Sequence, residues 1–155
     1  YLILPGHDYG WPIREGTFVM KADENMSNVF LLPPDDSIYN ITYPVAQYDH
    51  DEGNAISGGF EYWGRNLPEL QGKCIFGDIV RGRIFFIEMN DLNLGSQARI
   101  KEMNISVNGK NTTLIDLCGA QKVDMRFGRD HQGELYVLTK PDGKVYRVMN
   151  VSKGI

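Results

Sequence analysis

The chain has 155 residues, 42% of them hydrophobic, with a formal net charge of −4. That is material for one modest core, and the acidic balance weighs against a nucleic-acid binder, which would show a basic stripe. No apolar run approaches the ~20 residues that a membrane-spanning helix requires.

In chain order, Tyr1-Leu2-Ile3-Leu4 reads as a strand stopped by Pro5-Gly6. His7 to Pro12 is a turn that carries Tyr9 and Trp11. From Arg14 to Ile41 no clean periodicity appears, and Pro33-Pro34-Asp35-Asp36 breaks any regular element. This stretch is expected to be a long excursion, of the kind that is functional or poorly ordered in compact domains. Tyr43 to Tyr48 is extended, and Asp49 to Gly53 is a polar turn. Ala55 to Tyr62 carries Gly58-Gly59 inside an apolar run, which predicts a bulge or a close backbone approach. Cys74-Ile75-Phe76, a short loop and Gly82 to Ile87 form a hairpin. Asp91 to Lys101 is a connection, Met103 to Val107 a short strand, and Asn108-Gly109 a tight-turn dipeptide. Thr113 to Leu117 reads as a further strand, and Glu134 to Leu138 with Gly143 to Val148 as a second hairpin.

The two hairpins share a Gly-(Arg/Lys)-(Ile/Val)-(Phe/Tyr) lead into their second strands. A repeated hairpin, with turn glycines and no sustained 3.6-residue periodicity, predicts an all-β chain built from a propeller-like repeat.

Asn-X-Ser/Thr acceptors occur at Asn25, Asn40, Asn104, Asn111 and Asn150. About one such triplet is expected by chance from this composition. The excess points to a secreted glycoprotein, although co-occurrence of Asn, Ser and Thr in loops is the alternative. The chain opens on Tyr1 and is expected to be a mature product or an excised fragment. Cys74 and Cys118 are too far apart for a metal-binding CxxC pair; they form one disulfide or remain free thiols, and Cys74 lies in an apolar strand where a buried thiol is ordinary.

A set of short motifs then occurs in order. These are Tyr9-Gly10-Trp11-Pro12, Pro44 to His50, Gly53 to Gly59, Leu67 to Lys73, Phe76-Gly77-Asp78, Gly82-Arg83-Ile84, Phe127 to Asp130 and Gly133 to Thr139. Together, over most of the chain, they resemble the glucose/sorbosone dehydrogenase family, which includes soluble quinoprotein aldose dehydrogenases and hedgehog-interacting-protein-like proteins. The resemblance implies a six-bladed β-propeller, of which residues 1–155 would supply the C-terminal part as one domain, about two to three blades with long loops. An arc of a ring leaves faces uncovered. The remainder of the propeller would come from a longer parent chain, a second fragment or self-assembly.

The resemblance also implies pyrroloquinoline quinone and Ca²⁺ as cofactors and a sugar as substrate. The catalytic histidine would lie upstream of Tyr1, so no catalytic residue is assigned within the chain. Cofactor contact falls to Tyr43, as a stacking aromatic, and to Arg81. A structural calcium would use the backbone carbonyl of Tyr9. At three positions where the family places basic cofactor ligands this chain has Val80, Val123 and Met125. Apolar side chains make no charge-assisted bond to a quinone carboxylate. Lys122, Arg126 and Arg129 stand close by.

Single residues leave further alternatives. His50, with Asp49, Asp51 and Glu52, forms either an ion-binding loop or a solvated turn. His131 follows Asp130, which is expected to bond its own backbone in a tight turn. Trp11 and Trp63 are sugar-stacking surfaces or packing between blades. Two functions follow: the C-terminal portion of a secreted sugar dehydrogenase, or a non-catalytic extracellular propeller that binds carbohydrate or protein.

Overall fold

The computed structural model describes residues 1–21 and 28–151 of the chain. The chain is all-β: antiparallel strands in four sheets, with one short α-helix among the described residues. No sheet among them closes into a barrel. The residues form two compact units, Tyr1–Gln47 with Leu92–Ala98, and Tyr48–Asp91 with Arg99 onward.

The first unit is sparse in regular structure. β1 (Arg14–Glu15), β2 (Phe18–Val19) and β3 (Phe30–Leu31) make a three-stranded antiparallel sheet of two-residue strands. A 3-10 turn covers Asp36–Tyr39. The absence of periodicity from Arg14 to Ile41 thus corresponds to elements too short to display one. Tyr1 to Leu4 is not a strand. It has apolar residues but no ladder partner, and its backbone is satisfied instead by Tyr9, whose hydroxyl accepts from Leu4 N (2.6 Å) and lies 3.2 Å from Leu2 O. Besides the buried Met20 and Val45, this unit holds a buried ion pair. Arg14 Nη2 lies 2.7 Å from Asp36 Oδ1, and Tyr43 Oη donates to Asp36 Oδ2. Ile3, Trp11, Leu31 and Ile38 all remain exposed.

The second unit holds the core. β4 (Ile56–Glu61), β5 (Lys73–Asp78), β6 (Ile84–Glu88) and β7 (Lys101–Met103) form a four-stranded antiparallel meander in sequence order. β8 (Ile105–Val107) and β9 (Lys110–Thr112) form a hairpin through Asn108-Gly109, both at positive φ, as that dipeptide predicts. α1 (Leu114–Cys118) follows, then β10 (Arg126–Arg129), β11 (Leu135–Thr139) and β12 (Lys144–Arg147), a three-stranded meander. The two hairpins legible in the sequence are β5–β6 and β11–β12, and each is preceded by a strand that pairs with its first arm. The repeat is therefore a meander of at least three strands. The four-stranded copy has the strand number of a propeller blade.

Between the meanders lies one apolar cluster. Ile75, Ile84 and Phe86 come from the first, Leu135 and Val137 from the second, and Leu114, Val123 and Met125 from the link between them. Period-2 alternation gives β5 and β6 a second apolar set, Phe76, Phe85 and Ile87, also buried. Strands buried on both faces read as near-continuous apolar runs, as these do.

The expected strand at Thr113 to Leu117 is instead α1. Thr113 Oγ1 accepts from Asp116 N at 3.1 Å, and Gly119 at φ 62° closes the C-terminus. A threonine N-cap with an acid three residues on, and a glycine just past the end, outweigh the modest β preference of Leu-Ile.

Candidate functional site

The three positions where basic cofactor ligands are expected come together. The β5–β6 loop reaches the segment before β10 through backbone bonds from Val123 N to Val80 O (2.9 Å) and from Met125 N to Ile79 O (3.1 Å). Sequence separation of more than 40 residues gives no hint of this contact. Val123 and Met125 are wholly buried in the core cluster. Close packing extends across the seam: a Cβ on Gly82 would lie 2.7 Å from Val123, and one on Gly77 would lie 2.3 Å from Met125. The seam is apolar and closely packed, with Val80 half-buried, and it does not fit a quinone carboxylate.

Arg81 lies at the rim of this seam and is committed elsewhere. Its Nη1 donates to Asp51 O (3.2 Å) and Glu52 O (3.1 Å), and its Nε to Asn54 Oδ1 (3.2 Å). Arg83 completes the clamp, donating to Glu52 Oε2 (3.0 Å) and to Glu102 (2.6 and 2.9 Å). Bonding to Glu102 raises the Arg83 pKa above its ordinary value; burial opposes this, and Glu52 reinforces it. Beneath them, the fully buried Asp78 accepts from Val80 N (2.6 Å), Arg81 N (2.8 Å) and Asn54 N (2.5 Å). Two arginines and one carboxylate thus hold the loop from Asp49 to Asn54 in place. In that loop Asp49 Oδ1 accepts from Asp51 N at 3.1 Å and Glu52 N at 3.3 Å. Its carboxylate faces its own backbone, as in a solvated turn.

Tyr43 lies in the other unit. Its hydroxyl bonds Asp36, and this bond, then Arg14, hold the Asp36 carboxyl below the usual range against the effect of burial. Burial and the hydrogen bond to Asp36 push the Tyr43 phenol up. Tyr43 is a structural member of an ion-pair cluster. Tyr9 packs edge-on against Tyr1 at 5.2 Å. Among the described residues, no group of three or more His, Cys, Asp or Glu side chains is arranged to hold a metal.

The second polar centre is one that sequence reading missed. Glu134, just before β11, is 2% exposed, and its carboxylate is directed at one loop. Its Oε2 accepts from Tyr62 Oη (2.7 Å) and its Oε1 from Arg65 N (3.0 Å) and Asn66 N (3.1 Å). Tyr62 Oη in turn accepts from Leu67 N at 3.1 Å. Burial pushes the Glu134 carboxyl up, but the Tyr62 hydroxyl and the two N–H groups outweigh it, and the net shift is downward. Burial, and then Glu134, push the Tyr62 phenol to about 12. A carboxylate next to an apolar strand looks like an ordinary surface residue in sequence, which is why it went unread.

This knot fixes the loop that carries Trp63. The indole is 52% exposed and backed by Gly133, where a Cβ would lie 2.6 Å from the ring. The Arg129 guanidinium stands 4.6 Å above Phe60 and 5.9 Å from Trp63. Trp11 is 67% exposed. His131 sits in an exposed turn in which Asp130 Oδ1 accepts from Gln132 N (2.9 Å) and Glu134 N (3.0 Å), the self-bonding turn expected. Cys74 and Cys118 are free, half-buried thiols, with Cys118 packed against the core and the Cys74 thiol pushed up by burial. Of the acceptor asparagines, Asn40, Asn104, Asn111 and Asn150 are exposed; Asn25 lies outside the described residues. No helix among the described residues is long and apolar enough to cross a membrane.

No protein-family model and no solved structure matches the chain.

Proposed function

We propose that the chain is the C-terminal portion of an extracellular, glucose/sorbosone-dehydrogenase-like β-propeller of the non-catalytic kind, a module that binds carbohydrate or protein. One observation carries this reading. Val80, Val123 and Met125 are adjacent, as positions lining a common site would be, yet they form a packed apolar seam with Val123 and Met125 wholly buried. On this reading the family's architecture is retained without its ligand chemistry. Arg81, a remaining cofactor candidate, directs its guanidinium at a loop. Trp63 supplies an exposed aromatic on a loop held rigid from below, which suits stacking on a sugar or on a partner's side chain.

The alternative, a portion of a quinone-dependent sugar dehydrogenase, draws on the same convergence of the three positions. Titration of the full-length parent with pyrroloquinoline quinone, followed by absorbance, separates the two. The module reading expects no binding at micromolar quinone. Saturable binding accompanied by sugar-dependent dye reduction would overturn it.

A further inference from the structure

We propose that the β8–β9 hairpin is an acceptor element for N-linked oligosaccharide, taking one chain at Asn104 and one at Asn111 on a single outward face. The inference rests on the extracellular part of the reading above. The triplets Asn104-Ile105-Ser106 and Asn111-Thr112-Thr113 fall on the two arms of one hairpin. Its register sets Ile105 opposite Thr112 and Ser106 opposite Asn111. Side chains alternate along a strand and directly opposed residues share a face. Ser106 and Asn111 therefore share one face, and Ile105, Val107, Lys110 and Thr112 the other; Asn104, just before β8, is exposed between the buried Met103 and the half-buried Ile105, and Thr113, just after β9, is exposed between the half-buried Thr112 and the buried Leu114, so both continue the first face.

At the base of the hairpin burial sorts them the same way, while toward the turn Val107 and Lys110 are exposed as well. The four residues of the first face are exposed, whereas Ile105 and Thr112 are half-buried and Ile105 packs against the core cluster. The inward side chains anchor the hairpin, so both amides leave the protein on the same side. A bulky hydrophilic group on either nitrogen displaces no packed atom.

The other described acceptors differ. Asn40 caps a 3-10 turn at φ 51°, and the hydroxyl of Thr42, two residues on, lies 2.7 Å from His7 Nδ1 while its N–H donates to Asp8 O at 2.8 Å. That triplet is stitched into the first unit. Asn150 is exposed, but its Ser152 lies outside the described residues.

The transfer itself uses a lipid-diphosphate-linked oligosaccharide as donor. The amide Nδ2 attacks C1 of the first sugar, a C1–N bond forms, and the C1–O bond to diphosphate breaks. The lipid diphosphate leaves with its electron pair, and one amide proton is released. No oxidation or reduction is involved. Two oligosaccharides side by side would close this face of the hairpin to a docking sheet and direct any protein partner elsewhere.

The test uses the full-length parent secreted from a host with an N-glycosylation pathway, with a reporter acceptor triplet in an added unstructured tail. Peptide mass spectrometry after amidase release of the glycans is expected to find Asp in place of Asn at positions 104 and 111. N104Q and N111Q are each expected to remove one oligosaccharide step from the intact mass. A modified reporter with either hairpin position still Asn would overturn the proposal. Hairpin sites filled in this host but bare on protein taken from its natural source would sink the extracellular reading and leave the hairpin's competence as an acceptor standing.

Discussion

The α-carbon of Gly58 faces the ring of Phe127: a Cβ added to Gly58 would lie 2.6 Å from Phe127 Cδ2. This is where β4 meets β10 and the two meanders touch. Gly58 also sits at φ +80°, beside the bulge that shifts the β4–β5 register between Gly58 and Phe60. Phe60, on the far side of the bulge, meets Phe127 edge-on at 6.1 Å. Gly58→Ala combines a disallowed contact with left-handed strain and is expected to cost on the order of 3 kcal/mol. Denaturant unfolding measures it. A loss within experimental error of zero would mean that the meanders are not joined at this point.

Glu134 makes stability depend on acid. Its carboxyl titrates below its ordinary value in the folded chain, so the folded state favours the ionised form. The contribution is complete above the unfolded-state pKa and is lost as pH falls through the lower folded-state one. Melting temperature should therefore fall as pH drops below about 4.5. Glu134→Gln should lower it at neutral pH and flatten the acid limb. A variant whose melting profile parallels that of the wild type would show that the carboxylate is not what pins the Tyr62–Leu67 loop.

The filled seam predicts opposite outcomes for truncation and for charge. Met125→Ala leaves a cavity among Gly77, Phe127 and the core, and is expected to cost about 2–5 kcal/mol. Met125→Arg restores a basic residue of the sort expected of cofactor ligands but buries an unpaired charge, and should yield no cooperatively folded protein. A well-folded M125R that also binds quinone would reverse the conclusion about the site.

Thr113 has two separable roles. In protein made without glycosylation, Thr113→Ala removes the cap of α1 and is expected to cost about 1 kcal/mol. Asn111→Gln, which abolishes the same acceptor triplet, should be close to neutral because Asn111 lies on the exposed face of β9. Equal losses in thermal melts would refute the capping assignment.

Local signals in the chain were sufficient for the all-β class, for both hairpins, for the Asn108-Gly109 turn, for the irregularity at Gly58-Gly59 and for the self-bonded turn at Asp130. Each depends on residues within a few positions of one another: alternation, a dipeptide's backbone preference, an Asx side chain bonding its own main chain. Three local readings failed: Met103 to Val107 is broken at Asn104 and divided between β7 and β8, and the other two failed for different reasons. Thr113 to Leu117 carried a cap, an acid and a terminal glycine that outweighed its apolar run. Tyr1 to Leu4 had strand composition but no neighbour with which to form a ladder.

Tertiary structure alone decided which distant groups meet. Whether Arg81 reaches a ligand depends on the carbonyls of Asp51 and Glu52, about 30 positions away, and whether Glu134 is a surface acid or a buried anchor depends on a loop about 70 positions upstream. Val80, Val123 and Met125 are three unremarkable apolar residues until the β5–β6 loop folds onto the segment before β10. Sequence patterns record which face of a strand avoids water, because that preference repeats at the strand's own period. They do not record which distant donor meets a given acceptor, because that pairing is set once, by the packing of the whole unit.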